Sequence, residues 1–338
     1  MMMFMRVGKH SWRFDNSVYL QDTATAVGPL ESQGPLAEYF DVKYDEPYCG
    51  QKSWEQAESQ LMRSAISKVL NKCKLKDEDI SVSFAGDLVN QIVPTHYVFR
   101  EFNIPFFGVY GACSTSMESL LLSSIFIDSE NANLALAATS SHNSTAERQY
   151  RNPTEYGGPK PDTAQYTVTG SGVAIVGHKK TPIRIESGTV GVIVDAAQNN
   201  PNDMGSAMAP AAAQTIKQHL TDFKLDPSYY DLILTGDLAH VGSPILIDIL
   251  KNEGLDISQN HNDCGKLIFS EDQSVFAGGS GCGCCAVVTY GYIKELLIQK
   301  KIKRVLVVAT GALLNPIILQ QKETIPCIAH AVALVAED

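Results

Sequence analysis

One cysteine, Cys113, heads the stretch "GVYGACSTSMESLLLSSIFI" (residues 108–127), where a glycine-bearing turn runs into an apolar segment carrying a single charge, Glu118. Met117, Leu120, Leu121, Ser124 and Ile125 are apolar or small around much of a helical circumference, which predicts a buried helix. The N-terminus of such a helix offers unpaired backbone N–H groups and positive dipole potential, favouring a thiolate or a bound carboxylate. Ser114, Thr115 and Ser116 add hydroxyl donors at the same place. A nucleophilic cysteine also needs a base within hydrogen-bond reach and a donor for the developing oxyanion. The candidate bases are His142, after "LALAATSS", and His240, after the second Gly-Asp-Leu; Asn143, Arg148 and Arg151 in "SSHNSTAERQYR" are further donors. The competing reading makes Cys113 a small buried residue at a tight turn.

The elements that must position these groups repeat along the chain. Apolar runs of strand length alternate with helical stripes, the pattern of an α/β protein with a largely parallel sheet. In "SWEQAESQLMRSAISKVL", Ser53 and Gln56 have capping-box spacing, and Trp54, Ala57, Leu61, Ala65 and Val69 recur at helical period before the strand "ISVSFAGDL" (80–88). The same grammar returns in "AMAPAAAQTIKQHL" and "KLDPSYYDLILTGDL" (224–238), at an offset of 236 − 86 = 150. "NLALAATSS" (133–141) matches "RVLVVATGA" (304–312), and the Cys113 turn answers "GGSGCGCCAVV" (278–288). Two duplicated halves, 1–178 and 179–338, are the simplest reading. The larger later offset points to about twenty extra residues between Leu238 and Gly278, where "NEGLDISQNHNDCGK" reads as a polar insertion.

Composition narrows the partners. At 338 residues with 44% hydrophobic content the chain can bury a substantial core, while a net charge of −10 without long Lys/Arg runs argues against nucleic acid. No stretch reads as a secretory signal or a membrane span, so a soluble intracellular chain is expected. Eight scattered cysteines are too few for a disulfide framework, and "CGCC" (282–285) lacks a second Cys/His pair at zinc spacing, which favours packing over metal. The glycines of "GSGVAIVG" and "GGSGCG" match no nucleotide fingerprint. "YRNPTEYGGPKPDTAQYTVTG" (150–170) reads as a long loop that either covers a pocket, meets a second subunit or simply connects.

The duplication, the cysteine turn heading a buried helix and the closing "GGSGCG" resemble the thiolase and β-ketoacyl synthase superfamily. Long strings, among them "AATSSHNSTAERQYRNPTEYGG", "MGSAMAPAAA", "AGGSGCGCCAVV" and "IPCIAHAV", look like the stage V sporulation protein AD family across essentially the whole chain. The superfamily resemblance implies a five-layer αβαβα fold, usually a homodimer, with Cys113 at the nucleophile position. Condensing enzymes of the synthase III type carry a histidine just after the strand matching "DLILT", where this chain has Gly236 and Asp237, with His240 about one turn further on. Their asparagine falls on Gly279 or Ser280. Thiolases place a second cysteine where this chain has Phe276 and Ala277. The resemblance therefore implies a binding protein whose pocket includes Cys113, Ser114, His142, Asn143, Asp237, His240, Gly279 and Ser280, rather than an enzyme. The family ligand it implies is dipicolinic acid, alone or as its calcium chelate. No cofactor of the protein's own is implied, and partners are the stage V sporulation protein A membrane components at the inner spore membrane. The rival expectation is an acyl-transfer enzyme using Cys113 with His142 or His240 as base.

Overall fold

The computed structural model describes residues 6–15, 17–150 and 159–337. The first series of elements comprises strand β1 (Tyr19–Val27), helix α1 (Trp54–Cys73), β2 (Val82–Gly86), α2 (Val93–Phe99), β3 (Phe106–Gly108), α3 (Thr115–Asp128), β4 (Leu134–Ser141), α4 (Asn143–Tyr150) and β5 (Gly170–Gly177). The second comprises β6 (Ile183–Thr189), α5 (Met204–Phe223), β7 (Leu232–Thr235), α6 (Ala239–Asn252), β8 (His261–Asp263), α7 (Cys282–Val287), β9 (Arg304–Ala312) and β10 (Cys327–Ala336). Helix α7 continues through a π-helical turn, Val288–Ile293, into Lys294–Ile298.

Local chemistry accounts for the helix ends. The Ser53 hydroxyl accepts from Gln56 N and starts α1, while the Gln56 side chain reaches back to Lys52 N, one residue beyond the position a strict capping box would use. Ala57, Leu61, Ala65 and Val69 are all buried, as their period predicts. Helix α5 has the same 20-residue length and begins at an offset of 204 − 54 = 150, capped by the Asp203 carboxylate. Both helices end on a lysine in the left-handed region, Lys74 and Lys224.

Strand order repeats with equal regularity. The order β3-β2-β4-β5-β1 is matched by β8-β7-β9-β10-β6, and β1 and β6 join the two arrays through the antiparallel pair Tyr19 and Arg184. In each array the first three strands are parallel and the last two pairings antiparallel. Alternating side chains divide the core into layers. Val305, Val307 and Ala309 of β9 face the central layer with α3 and α7, whereas Leu306 and Val308 pack outward with α5 and α6. On the other array Ala135 and Ala137 of β4 face the centre, and Leu136 and Ala138 pack against α1. The five layers are thus α1/α2, sheet, α3/α7, sheet and α5/α6.

The polar segment after Leu238 is not an insertion. It contains the edge strand β8, paired in parallel with β7 as β3 is with β2. The added length lies in α6, which has 14 residues against 7 in α2, and in the stretch after β8. Its polar residues look loop-like in sequence because an edge strand and a capping carboxylate both call for them. The 150–170 loop falls largely outside the described residues; of its remainder, Tyr166–Thr167 pairs with Gly279–Ser280.

Candidate functional site at Cys113

Helix α3 is buried along its length, and its first turn is set by two side chains. The Ser114 hydroxyl donates to the Gly111 carbonyl at 2.6 Å, and Thr115 donates to the Ala112 carbonyl at 2.7 Å while accepting from Gly111 N. Ala112 takes a left-handed conformation, φ 51°, a strained choice for a residue with a Cβ that tips Cys113 out of the turn. The end of β9 presses on this turn: a Cβ on Gly311 would lie 2.3 Å from the Gly111 oxygen, so only glycine fits. Ser114 and Thr115 therefore spend their hydroxyls on the turn rather than on a ligand.

Cys113 lines a cavity of about 30 Å³ together with Leu88, Tyr110, Tyr150, Thr167 and Ser280. This is room for about two waters. The Tyr110 and Tyr150 hydroxyls bond each other at 2.9 Å, and Tyr150 also donates to the Leu88 carbonyl. Tyr110 and Leu314 are shared with a neighbouring groove of about 580 Å³. Among the described residues, no lysine, arginine or histidine lines the cavity.

The group facing the thiol is a carboxyl. Asp237, directly after β7, accepts from the Thr310 hydroxyl at 2.6 Å on Oδ1, and from Gly281 N at 2.9 Å and the Ser280 hydroxyl at 3.1 Å on Oδ2. Its charge bears on the Cys113 thiol across the cavity wall. Burial pushes Asp237 up to about 6, against the pull of these hydrogen bonds. Burial, followed by the Asp237 charge and Cys282, pushes the Cys113 thiol well above the ordinary range. A nucleophilic cysteine requires the opposite, a cation or base that stabilises the thiolate.

The other expected residues divide cleanly. Ser280 lines the cavity, and Gly279 precedes it, packed against Ile268, Cys284 and Gly265. His142 is 1% exposed, but its Nε2 donates to the Pro47 carbonyl at 2.8 Å and its Nδ1 accepts from Ser144 N at 3.1 Å. Both ring nitrogens are committed, the ring leans on Trp54, and burial lowers its pKa, so it is a neutral structural histidine and no base for Cys113. His240 is exposed and meets the site through its backbone alone, N–H to the Ala277 carbonyl. Asn143 N donates to the Thr169 hydroxyl, and its side chain does not line the cavity. Arg148 pairs with Glu55 at the surface, and Arg151 lies outside the described residues. The CGCC sulfurs are core atoms: Cys284 and Cys285 pack in the central layer, and Cys282 donates to the Ser140 carbonyl beside Cys113.

Sequence reading missed Tyr110, Tyr150 and Thr310. The Thr310 signal was present in the repeat, since Thr139 holds the matching strand end, but nothing local points either tyrosine at Cys113.

The stage V sporulation protein AD family model matches residues 8–335. The chain belongs to that family. A stage V sporulation protein AD of Bacillus subtilis strain 168 is 56% identical over 325 residues, covering 96% of each chain. Among solved structures, cerulenin-bound OleA of Xanthomonas campestris superposes with a TM-score of 0.62 at 13% identity, covering 96% of this chain and 97% of that one. The 3-oxoacyl-[acyl-carrier-protein] synthase III of Aquifex aeolicus VF5 gives 0.55 at 12% identity, covering 94% and 99%. The sporulation family member thus has the thiolase-like αβαβα fold, and its cysteine turn is built into that fold with an acid beside it.

Proposed function

We propose that this family member is a non-catalytic binding protein for dipicolinic acid, free or as its calcium chelate, serving uptake of that dicarboxylate into the forespore. The observation that carries the reading is the Asp237 carboxylate, which accepts from Ser280 at the wall of the Cys113 cavity, where among the described residues no histidine stands to activate the thiol. The Thr167 hydroxyl, and those of Tyr110 and Tyr150 once their pair parts, are the donors available to carboxylates. A pyridine ring does not fit in about 30 Å³, so binding requires the Tyr110–Tyr150 pair to part toward the neighbouring groove. Calorimetry with dipicolinate, with and without calcium, tests this: saturable heat is expected, and none in either condition removes the binding claim.

Among the described residues no helix is long and apolar enough to cross a membrane. In this reading contact with the inner spore membrane therefore runs through the membrane components of the stage V sporulation protein A complex. The protein acts as a homodimer through the β3 edge, where Phe107 is exposed on the strand and Tyr110 just beyond it. Sedimentation should show a dimer that Phe107→Asp dissociates; a wild-type monomer counts against it.

The second reading, acyl transfer through Cys113, draws on the cysteine's place at a buried helix head facing a cavity. Incubation with acyl-CoA and intact-mass measurement separates the two. No adduct is expected, and an acyl group on Cys113 moves the assignment to the enzyme.

A further inference from the structure

We propose that an anion entering the Cys113 cavity is bound together with a proton taken up by Asp237, so that this carboxyl sets the affinity of the site. The inference rests on the dicarboxylate-binding reading above.

The geometry around Asp237 is that of a carboxylate without a counter-charge. Its oxygens accept from Thr310 of β9 and from Ser280 and Gly281 at the entry to α7, and its main-chain carbonyl accepts from Gln165. All of these donors are neutral. The titratable groups that face it are of one kind: Cys113 on α3, Cys282 and Cys284 on α7, Asp263 at the end of β8 and Cys327 on β10. Beyond Cys282 stand Glu58 of α1 and Asp87 after β2, which burial drives up, Glu58 well above its ordinary value and Asp87 to about 6. Each group in this set becomes more negative or stays neutral as pH rises.

Ser280 lines the cavity beside Cys113 and donates to Asp237, so an anion seated there lies one side chain away from the carboxyl. Two like charges at that spacing in a buried site cannot both persist cheaply, and a proton on one of them removes the conflict. Asp237 is the member poised to accept it, because burial already raises its pKa to about 6 before any ligand adds to the field. The Thr310 and Ser280 hydroxyls can rotate to accept from the protonated acid, so the network survives the change. Carboxyl groups of the ligand ionise well below pH 6 and keep a constant charge across the neutral range.

The test is titration calorimetry with dipicolinate at pH 6, 7 and 8, in two buffers of different ionisation enthalpy, on the full chain and on Asp237→Asn. Wild-type affinity should fall about tenfold from pH 7 to pH 8, with about one proton taken up per ligand. Asp237→Asn should bind at least tenfold tighter than wild type at pH 8 and show a flat pH profile. Should the asparagine variant melt early by circular dichroism, Thr310→Val provides the second route. Loss of that donor raises the Asp237 pKa further, so tighter binding than wild type at pH 8 is expected. Saturable wild-type binding that is flat from pH 6 to pH 8, or a folded variant that binds more weakly at pH 8, overturns the proton linkage and leaves the binding reading standing. Absence of saturable heat at every pH overturns the binding reading, and the linkage with it.

Discussion

Cys113 and Asp237 are 124 positions apart in sequence (237 − 113), yet the Asp237 charge joins burial in keeping the thiol neutral. A thiolate there would face an ionised acid with no lysine, arginine or histidine among the described residues lining the cavity, whereas the neutral thiol avoids that repulsion. Reactivity follows thiolate fraction and access. A small methanethiosulfonate reagent at pH 8 should therefore modify Cys113 slowly, and Asp237→Asn should speed that reaction at least about tenfold by removing the opposing charge. Peptide mass mapping reads the outcome; equal rates in the two proteins would mean that the carboxyl does not hold the proton on sulfur. His142 illustrates the converse case. Its position after a strand is legible in sequence, yet Pro47, 95 residues earlier, takes its Nε2.

The turn between β7 and α6 carries Asp237, and one carboxylate builds that turn. Asp263, at the end of β8, accepts from the Thr235 hydroxyl at 2.6 Å, from Leu238 N at 2.8 Å, from Ala239 N at 2.9 Å and from Gly265 N at 2.8 Å. Ala239 sits at φ 54°, and the two backbone bonds to Asp263 hold it there. Asp263→Ala leaves three buried backbone N–H groups, of Leu238, Ala239 and Gly265, unpaired and should cost about 3 kcal/mol or more in urea denaturation. Asp263→Asn keeps an acceptor and should cost less; an alanine variant as stable as wild type would show that the turn needs no such support. This residue lies in the stretch whose polarity resembles an insertion. Polarity marks solvent and capping duty alike, and only the parallel pairing of β8 with β7 separates them.

Among the described residues several acids are buried with no cation acting on them. Burial raises Glu31 and Glu118 to about 7 and Asp87 and Asp237 to about 6, against unfolded values near 4. Each keeps its proton in the folded chain at a pH where the unfolded chain has lost it. Their contribution is complete below about pH 4 and is lost as pH rises through 6 to 7. For Glu31 and Glu118 this is on the order of 3 kcal/mol each. Calorimetric melting should therefore give a midpoint several degrees lower at pH 8 than at pH 5.5, with a shallower slope in Glu31→Gln. A midpoint that rises over this range would contradict the burial of these acids. Net charge of −10 acts in the same direction, since added negative charge repels itself in the compact state.

Sequence alone determined the fold class, the repeat of elements at an offset of 150, the caps of α1 and the burial of α3, because periodicity, capping and apolar content are local properties. It also located Cys113 and, through the family resemblance, Asp237 and Ser280 as members of one neighbourhood. Tertiary structure decided what each does. The register of β7 against β9 sets Thr310 on Asp237, the closing of α7 against α3 brings Ser280 and Gly281 to the same carboxyl, and packing turns His142 away to Pro47. These contacts join residues far apart in the chain. Side-chain direction across two packed layers follows from strand register, which no local pattern encodes.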